Sequence, residues 1–261
     1  MPAVTPPNVL TMGFYDLTKD ERVHRTEQIL SALVRHLEKN SVKPFPYFSH
    51  DDTYFRKSGY QSVGRIYNRQ PELRERIILV LEKSIVNQNE YVRQTTINAA
   101  GEIGIKHFDT VAPLFDRGLF DTHHSVRNAV IGSVKKMGEK NPTPVLKWAK
   151  KYLSHPDKEV RREICHGIEL RGRTHPEDIL PLLKQLQHDP TARVRNTLVH
   201  VLGQISYKKD CLAKVIQHLK KWENKDVTAK AIAEIIDIHK RYKKFAVLSP
   251  EEAEKYINDN V

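Results

Sequence analysis

A two-residue signature returns through this chain at nearly constant spacing and limits what it can fold into. An apolar residue followed by arginine occurs as Phe55-Arg56, Val92-Arg93, Val126-Arg127, Val160-Arg161 and Val194-Arg195. The arginines stand 37, 34, 34 and 34 residues apart, and Val227-Thr228 continues the series after a further 33. Chains with a period of this length stack one supersecondary unit many times. Each unit buries its apolar face only against its neighbours. Function in such arrays collects on the face built from the same position of every unit.

Each period reads as helix, turn, helix. The first helices are expected over 72–85, 110–120, 143–153, 177–187 and 211–222. Pro71, Pro142, Pro144 and Pro176 stand at or near their starts, where a missing N–H costs no intrahelical bond. Asp52, Asp121, Asp157 and Asp189 lie in the turn before the second helix and can cap it. Counting from the apolar residue of the signature as zero, position four holds Thr96, Val130, Ile164 and Leu198. Position eight holds Ala100, Val134, Ile168 and Leu202. That is one apolar stripe at helical spacing, hence core. Gly64, Gly101 and Gly203 recur eight residues after the arginine, where helices come close. A helix over 19–39 is expected to start from Asp16 or Thr18. Ser249-Pro250-Glu251-Glu252 signals the start of a closing helix.

The period, the early proline, the turn aspartate and the Val-Arg opening resemble the HEAT class of repeats. The Trp/Leu-Gly/Tyr pattern of tetratricopeptide repeats and the Thr-Pro-Leu-His motif of ankyrin repeats are missing. The fold expected is all-α: a right-handed α-solenoid (superhelix) of about six HEAT-like helical hairpins. It divides into a disordered lead over 1–15, a repeat domain over 16–245 and a closing helix over 246–261. The resemblance also implies that the turn aspartates and helix-two arginines form a ladder between units. Arg93, Arg127, Arg161 and Arg195 are then structural, because a charge near a core needs a partner.

Positions two, six and ten of the second helices share a different face. They hold Lys57, Gln61 and Arg65; Gln94, Asn98 and Glu102; Asn128, Gly132 and Lys136; Arg162, His166 and Leu170; Asn196, His200 and Gln204. Arg171 and Arg173 follow the fourth set. Amides, imidazoles and cations dominate, with a single acid. Such donors suit phosphates and base edges. The candidate nucleic-acid-binding residues are Lys57, Arg65, Asn98, Asn128, Lys136, Arg162, His166, Arg171, Arg173, Asn196 and His200. A net charge of +11 points to a polyanionic partner. A second basic zone runs over 208–244.

No run of apolar residues is long enough to span a membrane. No secretion signal opens the chain, and Cys165 and Cys211 lack paired spacing. The expected setting is therefore cytoplasmic, with two buried thiols. No metal site and no cofactor are expected: the histidines are scattered, and none is followed by glutamate.

Two runs, 124–149 with its Lys140-Asn-Pro and Pro144-Val-Leu-Lys-Trp-Ala, and 160–183 with its Arg173-Thr-His-Pro-Glu-Asp, resemble the bacterial DNA alkylation repair proteins built from HEAT-like repeats. The likeness covers roughly residues 88–205. It implies a basic concave groove for duplex DNA and hydrolytic release of alkylated, cationic purines. The family's lesion-facing pattern is a tryptophan with an aspartate four residues on. Trp222 and Asp226 fit it, although in the last repeat, whereas Trp148 is followed by Tyr152. Aromatic faces stabilise a cation and a carboxylate stabilises positive charge on the sugar. In the plainer reading, Asp226 caps the last helix and Trp222 packs the end of the array. Glu163 and Glu169 are further acids beside the stripe. Three functions stand: a non-catalytic DNA-binding array, an alkylpurine DNA glycosylase, and a protein-binding scaffold.

Overall fold

The structure is a computed structural model that describes residues 13–261. The lead expected over 1–15 lies outside the described residues as far as residue 12. Phe14–Asp16 form a 3-10 turn, and the Phe14 N–H donates to Asp52 Oδ2 at 2.7 Å. The helices are α1 (Lys19–Glu38), α2 (Thr53–Arg69), α3 (Arg74–Ser84), α4 (Glu90–Gly118), α5 (His124–Lys140), α6 (Pro142–Lys150) and α7 (Lys158–Gly167). They continue as α8 (Glu169–Gly172), α9 (Pro176–Lys184), α10 (Ala192–Ser206), α11 (Cys211–Leu219), α12 (Lys225–Arg241) and α13 (Pro250–Asn260). No strand occurs among the described residues, and the chain is an all-α solenoid of helical hairpins. At His107 (φ −130°, ψ 53°) α4 leaves helical geometry, so its span is two helices, a second helix followed by the next first helix.

Several helix starts follow the residues read there, while the first helices expected over 143–153, 177–187 and 211–222 end three residues earlier. Thr18 caps α1 and forms a capping box with Glu21. Ser249 and Glu252 do the same for α13. Asp52 and Asp157 cap α2 and α7, accepting from the N–H of Tyr54 and Glu159. Pro142 and Pro176 open α6 and α9. Asp226 does not cap α12. Asn224 does, accepting from the Val227 N–H at 3.1 Å, and Asp226 is an exposed residue within the first turn.

Two compact units are present. Residues 13–104 and 113–129 form one; residues 105–112 and 130–261 form the other. In the first, α1 packs along α2. Ile29, Leu33, Phe48, Ile77 and Leu81 are fully buried there. A Cβ on Gly64 would come within 2.5 Å of Glu102 Cβ, so only glycine permits this approach. In the second unit α10 packs between α7 and α12, and α13 closes on α11 and α12. Gly203 meets Glu234 Cγ and Ile238 Cγ1 at 2.7 and 3.0 Å in the same sense. The stripe at positions four and eight, from Thr96 and Ala100 to Leu198 and Leu202, is exposed by no more than 1%. Each Val, Leu or Ile enclosed there contributes about 1.5–3 kcal/mol.

The arginines of the signature hold the turns. Arg161 donates from Nη1 to the carbonyls of His155 and Pro156, at 2.7 and 2.9 Å. From Nε and Nη2 it forms a fork on both carboxylate oxygens of Asp189 in the next repeat, at 2.5 and 3.0 Å. In the first unit Arg93 repeats the fork on Asp121 at 2.7 and 3.0 Å. Arg56, Arg127 and Arg195 bind main-chain carbonyls of their own turns. Asp121 and Asp189 thus serve the ladder and brace the turn through the N–H of His123 and Thr191. Burial pushes the Asp189 carboxyl up, but the Arg161 fork and the Thr191 N–H outweigh it and hold it below its usual range.

Candidate functional site

The helices that carry positions two, six and ten lie side by side within each unit. In the second unit this brings His166 of α7 and His200 of α10 to a ring separation of 6.1 Å, edge to face. Glu169, at the start of the short α8, is 2% exposed and lies beneath them. Three cationic or imidazole groups converge on its carboxylate. Arg173 Nη2 donates to Oε1 at 2.6 Å, Lys135 Nζ donates to Oε2 at 3.1 Å, and His166 Nε2 lies 3.2 Å from Oε2. Arg173 also donates to Gln204 Oε1 at 2.9 Å, and its guanidinium lies 6.0 Å from the Tyr207 ring centre. Burial pushes the Glu169 carboxyl up, but the contacts with His166, Lys135 and Arg173 outweigh it and hold it at about 2. It is therefore ionised at neutral pH and anchors more positive charge than it cancels.

His166, Glu169 and His200 also bring ligand atoms within 4.8 Å of one another, the spacing of a metal site. Lys135 already engages two of them, within 2.9 Å of His166 Nε2 and bonded to Glu169. Carboxylate and imidazole are thereby engaged by the chain's own ammonium group.

Lys135 and Glu169 carry a signal in the sequence. Both stand eight residues after the signature arginine, where Gly64, Gly101 and Gly203 stand in the other repeats. The glycines permit close approach; in two consecutive repeats a lysine and a glutamate replace them and meet across the helix pair.

The remaining residues of the stripe divide by their partners. Lys57 and Arg65 on α2 are exposed and form no ion pair among the described residues. Asn98 on α4 is half-buried, while Asn128 and Lys136 on α5 and Asn196 on α10 are exposed. Arg162 pairs with Glu159 at 2.9 Å, Arg171 with Asp178 at 2.6 Å, and His200 Nδ1 lies 3.5 Å from Glu234. Several cations of the face are therefore held by acids at its edges. These acids escaped the positional count because they come from other helix positions.

Trp222 is 1% exposed, and its Nε1 donates to His218 Nδ1 at 2.8 Å. An indole so enclosed offers no open face to a cationic base. Asp226 is exposed and pairs with Lys230 at 2.8 Å. Trp148 is also buried, edge-on to Phe108.

Residues 145–236 match the family model for HEAT repeats. They take in both second helices that carry the two imidazoles. No curated protein matches the chain. Among solved structures, smu.31 from Streptococcus mutans UA159 is 16% identical, with a TM-score of 0.52 over 78% of this chain and 97% of that one. AlkD2 from Streptococcus mutans is 17% identical, with a TM-score of 0.53 over 85% of this chain and 100% of that one. Crescerin, which uses a TOG domain array to regulate microtubules in the primary cilium, is 16% identical, with a TM-score of 0.50 over 79% and 90%. At these identities the likeness is one of fold. No helix among the described residues is long and apolar enough to cross a membrane.

Proposed function

We propose that this HEAT-like solenoid binds duplex DNA without acting on it, through the face of its second helices. The observation that carries the reading is the cluster of Lys135, His166, Arg173 and His200 around the buried Glu169. It gathers cationic and imidazole groups from neighbouring helices around one buried acid, which supports an anionic partner at this face. The net charge of +11 and the sequence resemblance to DNA alkylation repair proteins support the same partner. A glycosylase activity through Trp222 and Asp226 is the weaker reading, because the tryptophan is enclosed. Binding of another protein is the alternative that the fold shared with crescerin favours.

The test is a salt titration of binding to a labelled duplex of unmodified sequence, read by fluorescence anisotropy. Neutralising phosphates releases counterions, with a slope of about −0.9 in log K against log salt per phosphate. A face presenting several cations is expected to give a slope of about −3 or steeper. A slope near zero, or no binding at low salt, would turn the assignment to a protein partner.

A further inference from the structure

At the far end of the second unit, between the C-terminus of α10, the start of α11, α12 and α13, lies a cavity of about 200 Å³. At roughly 30 Å³ per water this is room for about seven waters, or one small ring. Leu212, Ala213, Leu248 and the ring of Tyr256 form its apolar walls, and Ser206, Lys208 and Asp210 also line it. His239 reaches it from α12 and is 1% exposed. The ring Nδ1 of His239 lies 2.8 Å from the Ile235 carbonyl oxygen. A carbonyl only accepts, so Nδ1 carries the proton and the Nε2 lone pair is left as an acceptor. The Ile235 contact is the one hydrogen bond of the His239 ring among the described residues, so Nε2 has no protein partner there. Asp210, which lines it, takes the left-handed backbone conformation (φ 59°) just before α11.

We infer that this cavity is a binding site for a small, uncharged, single-ring compound bearing one hydroxyl or N–H donor, with His239 Nε2 as the acceptor that orients it. Three features select the class. The lining is largely apolar and its one lysine and one aspartate are of opposite sign, the volume suits one ring, and an acceptor without a protein partner penalises any ligand that lacks a donor. Burial lowers the proton affinity of His239 despite the Ile235 carbonyl, which keeps the acceptor available at neutral pH. The inference is independent of the DNA reading, because none of these residues belongs to the stripe.

Phenol and its methyl ether, anisole, are matched probes: same ring, with and without the donor. In the full-length protein labelled with ¹⁵N-histidine, phenol is expected to bind saturably and to move the Nε2 resonance of His239. Anisole is expected to bind at least tenfold more weakly. In His239→Phe, which keeps a ring in place, the phenol preference disappears; in Ala213→Leu, which fills the cavity, both affinities fall at least tenfold. Equal affinity of the wild-type protein for the two probes would overturn the inference whatever the variants do. So would the absence of any shift of Nε2 at millimolar phenol.

Discussion

Arg161→Ala is expected to lower the unfolding free energy by about 3–5 kcal/mol, the cost of leaving one partner of a buried ion pair alone. The reason lies in what the guanidinium does at once. Its fork closes on both oxygens of Asp189, and its third nitrogen holds the carbonyls of His155 and Pro156. Both side chains are almost fully enclosed, at 10% and 3% exposure, so water cannot take the place of the lost bonds. For a chain of this size each kcal/mol shifts the melting temperature by roughly 2–4 °C, so a fall on the order of 10 °C is expected. Arg161→Lys should lose much of the same stability, because an ammonium group cannot form the fork. Lys214→Ala, which removes the open pair with Glu177, should leave the melting temperature where it is. Calorimetry of the three variants checks this. A fall of less than about 2 °C for Arg161→Ala would show that the ladder is not what holds the repeats together.

Glu169→Gln is expected to cost about 3 kcal/mol at neutral pH. The drop of the carboxyl from an ordinary 4.5 to about 2 corresponds to that much preference for the ionised form in the folded state. The glutamine keeps the shape and loses the charge that holds Lys135, His166 and Arg173 together. Because the folded value is depressed, the stabilisation is fully present above about 4.5. It is lost as the pH falls toward 2. Denaturant unfolding at pH 6, 4 and 2.5 should therefore show wild type and variant converging as the solution is acidified. Equal stability at pH 6, or a gap independent of pH, would mean that Glu169 is not the charged hub described above.

Much of the fold is legible in the chain because it is local. The period, the prolines at the helix starts, the threonine and serine caps and the apolar positions four and eight all act within one repeat. The structure has them where the residues place them. The arginine ladder is legible through the HEAT resemblance, and the Arg161–Asp189 fork is where that resemblance puts it. The site is less so. Positions two, six and ten identify which side chains point outward but not which acids reach them from other turns. Arg162, Arg171 and Arg173 each have such an acid. The Lys135–Glu169 contact joins two repeats across one helix pair; its trace in the sequence is the break in the glycine series. The burial of Trp222 depends on the helices around it, which no spacing between tryptophan and aspartate reports.

The most direct test of the nucleic-acid face compares two variants with equal change in net charge, both in the second unit. Lys136→Glu, Asn196→Asp and His200→Asp together alter the face. Lys220→Glu and Lys221→Glu alter exposed lysines on the turn after α11. Duplex affinity should fall at least tenfold further for the first variant than for the second, with both remaining folded by circular dichroism. Equal losses would reduce the binding to net charge, and a larger loss for the second variant would contradict the proposed face.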